Sequence, residues 1–348
     1  MPQGDDVNRR TAVPYYPALH SLIRGDALSE LIHADFGVRS TGDVLLIQSG
    51  LNDHYSLPTE EGERIVRVYR SAWRSDGEID WELEFLNHLR EGAAPVAAGI
   101  RRTDGSWYSS TSAIEGVRRV ALFERAPGVY THFSSSGAKR ISPADHAERF
   151  GRSMAEIHAA ADNFRSTLPR FQLDLAYLID QALQAIARVY GRRGADSSVW
   201  EQMVNRYRDL LERNELSSLD WGPIHGDMTG GNSTYWDGKV IHFDFDFAGP
   251  GWRAYDLAIF YWSMTINGHG ADVWQRFLRG YSSVRPLPRQ DLSLVGAFAG
   301  VHELWLTGLW CAMAPVLRTH ALHEDFFDRS MRRLVDFYER AALAGEPP

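Results

Sequence analysis

Apolar positions along the chain follow two periodicities, a period near two in the first third and a period near 3.6 in most of the rest. At the start, Leu19, Leu22, Ile23, Leu28 and Leu31 recur at helical intervals, which predicts a helix over Ala18–Phe36 with Gly25 as an interruption. Short strand-like runs follow. Val44–Ile47 and His54–Leu57 flank the turn Gly50-Leu51-Asn52-Asp53, and Ile65–Tyr69 makes a third strand entered from the polar run Thr59–Arg64. Ile79, Leu83 and Leu86 share one stripe with Phe85 and Leu89 beside it, so Ile79–Glu91 reads as an amphipathic helix. A strand region opens at Pro95 and Val96 and turns at Asp104-Gly105. Val120–Phe123 then runs into Glu124-Arg125-Ala126-Pro127-Gly128, a breaker segment suited to joining two lobes.

Beyond that segment the helical period dominates. Ser142-Pro143-Ala144-Asp145 combines a capping serine, a proline at the first helical position and an acidic first turn, predicting a helix to about Ala161. Further helices are expected over Leu175–Tyr190, Val199–Leu211, Ala258–Met264, Val273–Tyr281, Leu292–Met313 and Phe326–Leu343. Between them, Ser233–Trp236 and Val240–Phe243 form a predicted hairpin, because Asp237-Gly238 tolerates the positive φ values of a type I′ turn.

Length and composition narrow the picture. A chain of 348 residues is long for one core, so two lobes are expected, residues 1–123 and 124–348. With 44% hydrophobic and 12% aromatic residues, both can be well packed. The net charge of −8 and the absence of a sustained Lys/Arg run exclude nucleic acid as the main partner. The single cysteine, Cys311, excludes an internal disulfide, and between Trp310 and Ala312 it reads as buried filler. The first residues lack a signal-peptide core and no segment is expected to reach a membrane span, so the expectation is a cytoplasmic protein with no membrane partner.

Candidate chemistry is concentrated in Trp221–Phe247. Asp227 and Asn232 precede the hairpin's first strand and Asp244 ends its second, so closing the hairpin gathers two carboxylates and an amide oxygen in one volume. Such oxygen clusters suit Mg²⁺. His225 and Asp256 read as residues that fix and brace this loop. Asp246 has two readings, a further metal ligand or the exposed side of an Asp-x-Asp strand end.

The spacing of Asp227, Asn232 and Asp244 is similar to that of the protein-kinase catalytic centre. The surroundings differ: Gly226 stands where kinases have Arg, Asp244-Phe245-Asp246 replaces Asp-Phe-Gly, and no Ala-Pro-Glu follows. HGDMTGGN and IHFDFDFAGPGWRAYDLA resemble the aminoglycoside phosphotransferase and choline kinase family, nearest to type II homoserine kinases and the bacterial stress response kinase. The resemblance runs from about Val44 to about Arg285, with its strong motifs at residues 225–257.

This resemblance implies an α+β, two-lobed kinase-like fold, with a small antiparallel-sheet lobe and a larger helical lobe, that transfers phosphate from ATP with Mg²⁺ to a small-molecule hydroxyl. Asp227 would take the acceptor proton, and Asn232, Asp244 and Asp246 would hold metal. Arg67 occupies the position of the nucleotide-binding lysine, with Glu82 as its helix partner, and Phe123, Glu124 and Ala126 form the adenine-binding hinge. His158 is expected as a packed histidine in the first large-lobe helix. Of Trp252, Trp262, Trp274, Trp305 and Trp310, most are expected in the core and one or two at an acceptor pocket; His302 and Glu303 are either substrate contacts or a solvated helix face. Two other readings are open, a protein Ser/Thr kinase of the stress-response type and a non-catalytic nucleotide-binding module.

Overall fold

The structure, a computed structural model, describes residues 17–131, 143–316 and 322–344; the Ser142 cap lies outside the described residues. In chain order, α1 (Gly25–Phe36) precedes β1 (Leu45–Ser49), β2 (Asn52–Thr59) and β3 (Gly62–Tyr69), and α2 (Asp76–Glu91) leads to β4 (Gly99–Ile100), β5 (Tyr108–Ala113) and β6 (Gly116–Glu124). The strands form one antiparallel sheet in the order β1-β2-β3-β6-β4, with β5 also paired to β6.

Period-two alternation gives this sheet two different faces. Val66, Val68, Val120 and Leu122 pack with Leu28, Ile32 and Phe36 of α1. Tyr69, Ala121 and Phe123 face Ile79, Leu83 and Leu86 of α2. Arg67, between Val66 and Val68, shares the α2 face, which is how a strand arginine meets a helix glutamate. The helix begins three residues before the predicted Ile79, because Ser75 accepts from Glu78 N–H and Glu78 accepts from Ser75 N–H in a reciprocal capping box.

Three expectations need correction. α1 starts at Gly25 rather than Ala18, since a Cβ there would lie 2.1 Å from the Val44 carbonyl oxygen; the glycine permits that approach and does not break a helix. Residues 17–24 instead lie along the sheet, where Ser21 bonds Glu115 and His20 bonds Asp53. Pro95-Val96 opens no strand, and Val96 makes only an isolated bridge to His242. β5 went unpredicted because Tyr-Ser-Ser-Thr-Ser-Ala lacks apolar alternation; pairing with β6 makes it a strand.

After β7 (Val129–Tyr130) come α3 (Pro143–Ala161), α4 (Gln181–Arg192) with a π turn over Ala176–Asp180 before it, α5 (Ser198–Glu212), β8 (Trp221–Ile224), β9 (Ser233–Trp236), β10 (Lys239–His242) and β11 (Gly249–Trp252). Helices α6 (Arg253–Ile266), α7 (Ala271–Ser282), α8 (Arg289–Met313) and α9 (Glu324–Ala344) complete the lobe. The hairpin β9–β10 closes as expected, Asp237 and Gly238 both having positive φ, and it adds β7 at its other edge. Unforeseen, β8 pairs with β11, bracketing residues 225–248.

Helix α8 is long and apolar enough to cross a membrane by length and composition, against the expectation that no segment would be, yet 78% of its apolar window is buried inside the fold. Cys311 lies buried in it, its thiol pushed up to about 12 by burial. Helices α3 and α7 cross on two glycines: a Cβ on Gly151 would sit 2.0 Å from the Phe277 carbonyl oxygen, and one on Gly280 would sit 1.8 Å from that of Glu148. Glycine normally weakens a helix relative to alanine by about 1 kcal/mol, and here backbone contact reverses the sign. Gly280→Ala is expected to lower the unfolding free energy by about 3 kcal/mol. Gly191→Ala in α4, where nothing lies within 4 Å of a new Cβ, should raise it by a few tenths. Urea unfolding of both variants checks the contrast.

Candidate active site

The chain leaves β8 at Ile224 and turns immediately. Gly226 has φ +78°, and a Cβ there would lie 2.4 Å from the Phe247 carbonyl oxygen, which explains why the kinase arginine is absent. The turn is fixed from below by Asp256, in the first turn of α6: its Oδ1 accepts from Gly226 N–H at 2.8 Å and its Oδ2 from His225 N–H at 2.9 Å and His158 Nε2 at 3.1 Å. The other nitrogen of His158 meets Tyr281 OH at 2.9 Å. His225 Nδ1 accepts from Asp227 N–H, so its Nε2 carries the proton and donates to the Phe243 carbonyl at 3.0 Å. The bracing expected of His225 and Asp256 is therefore made by identifiable bonds. Burial holds His158 neutral, down to about 4, even against Asp256, while Asp256 stays below its ordinary value because His158 and the loop amides outweigh its burial.

Asp227 sits above this base. Asn232 donates from Nδ2 to both its carbonyl, at 2.9 Å, and its Oδ2, at 2.8 Å. The amide's NH₂ is thus committed, which turns Asn232 Oδ1 outward as a hard acceptor. Burial and the charge of Asp244 push Asp227 up to about 8 despite the Asn232 bond.

Asp244 has φ 63° and ψ 63°, left-handed for a residue with a side chain. Its Oδ1 accepts from Arg67 Nη2 at 3.0 Å. The same guanidinium donates through Nη1 to Glu82 Oε1 at 2.5 Å and through Nε to His54 Nε2 at 3.2 Å, with the Phe123 ring 4.6 Å away. Arg67 and Glu82 are both buried, neither on an exposed face. Burial disfavours the cation, and Glu82 and Asp244 more than offset it, holding Arg67 well above its ordinary value.

Asp246 is neither at a strand end nor exposed. It lies in a 3₁₀ turn and is 2% exposed, and its carboxylate accepts from Trp73 Nε1 at 2.7 Å, Arg74 Nε at 3.0 Å and Asn52 Nδ2 at 3.3 Å. His302 and Glu303 are buried within α8, which overturns the solvated-face reading: Tyr255 OH meets His302 Nδ1 at 3.1 Å, and Trp262 Nε1 donates to Glu303 at 2.7 Å. Of the five tryptophans, Trp252, Trp262, Trp274 and Trp305 are buried and Trp310 is half-buried.

A cleft of about 380 Å³ lies between the sheet and the hairpin, bounded by Ile47, Arg67, Phe123, Ala126, Asn232 and Asp244 among others. Glu124 also lines it, but its amide is taken by the Ala98 carbonyl at 2.9 Å and its carboxylate by Arg90 at 2.8 Å. A family model for the phosphotransferase enzyme family matches residues 43–290. The chain belongs to that family. It is accordingly a phosphotransferase with an alcohol group as acceptor, on a kinase-like fold.

Among relatives, an uncharacterized protein of Deinococcus radiodurans is 35% identical over 331 residues, with 93% of each chain covered. Homoserine kinase of Burkholderia thailandensis is 23% identical, over 88% of this chain and 92% of that one. Amicoumacin kinase, solved with AMP-PNP, Ca²⁺ and Ami, superposes with a TM-score of 0.71 at 18% identity, covering 90% of this chain and 93% of that one. A microcompartment-associated aminopropanol kinase gives 0.71 at 20% identity, covering 92% and 98%.

Residues that sequence reasoning missed are His54, Asn52, Trp73, Arg74 and Arg170, all of which meet site residues across long separations. A buried ion pair that loses one member leaves an uncompensated charge. Arg67→Ala is therefore expected to lower the unfolding free energy by about 3–5 kcal/mol, and Glu82→Ala by less, because Asp244 still faces the guanidinium. The double variant should be no worse than Arg67→Ala, a non-additivity that denaturant titration of all three measures.

His158 gives a pH signature. Its folded value is about 4 against an ordinary 6.5, so the unfolded chain takes up a proton that the folded chain refuses, and stability falls as pH drops from about 6.5 to about 4. His158→Gln should flatten this slope, removing up to about 3 kcal/mol of the loss by pH 4, as read by unfolding curves across that range.

Proposed function

We propose that this phosphotransferase moves the γ-phosphoryl group of ATP, with Mg²⁺, to a hydroxyl of a small molecule such as an amino alcohol, sugar or antibiotic. The observation that carries the reading is that Asn232, bonded to Asp227, and Asp244 line one cleft of about 380 Å³. The acidic and amide oxygens of Asn232 and Asp244 fit a hard divalent cation, which when bound neutralises phosphate charge. Asp246 is withdrawn from the metal set, since its oxygens are already engaged by protein donors.

Each residue then has one task. Asp227 receives the acceptor hydroxyl as a hydrogen-bond donor and takes its proton, and Asn232 keeps that carboxylate pointed into the cleft. Arg67, steadied by Glu82, faces the nucleotide phosphates, while Phe123, Glu124 and Ala126 border the adenine end. Of these hinge residues Ala126 is the amide donor, because that of Glu124 is spent on Ala98. A lobe boundary at residues 123 and 124 and a cytoplasmic setting belong to the same proposal. Homoserine kinase and aminopropanol kinase among its relatives and neighbours make small amino alcohols the first acceptors to screen for ATP-dependent phosphorylation. Transfer to a generic protein substrate, with every small hydroxyl compound silent, would overturn the small-molecule reading.

Asp227→Asn is expected to reduce turnover by roughly 10³-fold, as for loss of a general base, and to leave nucleotide affinity within about twofold, because the group serves the acceptor. Asp244→Asn should weaken binding of the Mg²⁺ nucleotide far more than that of the metal-free nucleotide. Single-turnover assays and calorimetry with and without Mg²⁺ separate the two.

A further inference from the structure

We propose that Asp246 is a positioning residue that ties the β1–β2 turn of the small lobe to the Asp244 turn, so that the two lobes close in one register. The inference rests on the phosphotransferase reading for its functional meaning, and on geometry for its substance. Asp246 gathers donors from three separate parts of the chain. Asn52 opens β2 directly after the Gly50-Leu51 turn. Trp73 and Arg74 lie in the link from β3 to α2, Arg74 gripping the carboxylate through Nε at 3.0 Å and the carbonyl through Nη2 at 2.9 Å. Arg170, between α3 and α4, donates to the same carbonyl at 2.6 Å while its Nη1 holds the Glu78 carbonyl in the first turn of α2.

The path continues to the turn after β1, the strand whose Ile47 and Gln48 line the cleft. Asn52 Oδ1 accepts from the Arg70 amide at 3.2 Å, and the Arg70 side chain donates to the Leu51 carbonyl at 3.3 Å and the Gly50 carbonyl at 2.5 Å. A continuous hydrogen-bonded chain therefore runs from the Asp244 turn to the turn between β1 and β2. A carboxylate is needed because Arg74 is buried, and a neutral side chain would leave its charge uncompensated. Left-handed backbone at a non-glycine such as Asp244 persists where its surroundings over-determine it. The grip on residue 246, two positions on, supplies that determination. The two aspartates divide the work: the side chain of Asp244 is 31% exposed towards the cleft, and that of Asp246 is 4% exposed among arginines and tryptophan.

The test compares Asp246→Asn with Arg74→Gln, because Arg74 cannot ligate a cation. ATP titration with and without Mg²⁺ and amide hydrogen exchange of Ser49–Asn52 and Phe245–Phe247 are the readouts. Each variant is expected to weaken ATP binding by about tenfold in both titrations, from loss of charge-assisted bonds, with the double variant no worse than the poorer single. Both peptides should exchange faster. Trp73→Phe, which removes one donor and keeps the ring, should shift the same readouts less.

A loss confined to Mg²⁺-ATP in Asp246→Asn, with Arg74→Gln unchanged, would make Asp246 a metal ligand and overturn the proposal. Faster exchange at Phe245–Phe247 alone would reduce it to a local fold contact, which also overturns it. If Asp246→Asn does not fold, Arg74→Gln and Trp73→Phe decide, unchanged exchange at Ser49–Asn52 counting against the proposal. A wild-type chain that binds no ATP would sink the phosphotransfer reading instead, and the exchange of the two peptides would still report whether they are coupled.

Discussion

Carboxylate crowding is the constraint around which this site is built. The charges of Asp244 and Asp246 disfavour ionisation of Glu82, and those of Asp244, Asp256 and Asp246 that of Asp227, in surroundings that penalise charge. Each except one is given its own compensation. Arg67 serves Glu82 and Asp244, Arg74 and Trp73 serve Asp246, and Asp256 collects two loop amides and a neutral histidine. Among the described residues the Asp227 carboxylate accepts from the Asn232 side-chain amide. Burial and the charge of Asp244 push it up to about 8, whereas Asp246 is held at about 2 by Arg74 and Arg67 against its burial.

An arginine rather than a lysine at position 67 suits the same arrangement. A lysine offers one point charge, whereas a guanidinium offers donors in a planar fork. The edges of that fork are all used here, by Glu82, Asp244 and His54. His54 is part of the substitution: it must present a lone pair to Arg67 Nε, and burial keeps it neutral, at about 4. Strand alternation puts His54 of β2 directly opposite Arg67 of β3 in the antiparallel register. The arginine and its acceptor are therefore a cross-strand pair.

Much of this was legible in the chain. The helices of the large lobe, the Asp-Gly hairpin and the grouping of Asp227, Asn232 and Asp244 follow from periodicity, turn chemistry and spacing, all local signals. What stayed hidden depended on partners distant in sequence. Tyr108–Ala113 becomes a strand because β6 pairs with it, and Gly25 marks a close approach to Val44, which no local rule distinguishes from a helix break. That Asp246 is neither exposed nor at a strand end was not legible, because the donors to its carboxylate lie more than 170 residues earlier. A carboxylate two residues from a metal-binding candidate carries no local mark of which way it faces.

Helix α8 extends the reasoning to the far side of the lobe. Its apolar content is enough for a membrane span, yet its middle carries His302 and Glu303, and polar side chains buried without partners are expensive. Both are matched: Tyr255 and Trp262 of α6 take His302 and Glu303, and Arg333 of α9 lies 3.5 Å from Glu303. Hydrogen bonds need register in a way that aliphatic packing does not, so these pairs set how α6 slides against α8. The first turn of α6 carries Asp256, whose two oxygens fix the backbone of His225 and Gly226. Trp305, one turn from His302, also packs edge-on against Phe247 at 4.8 Å, beside the Asp246 turn. The loop that carries Asp227 is thus linked, through Asp256 and α6, to the buried polar pairs that α8 makes at its centre.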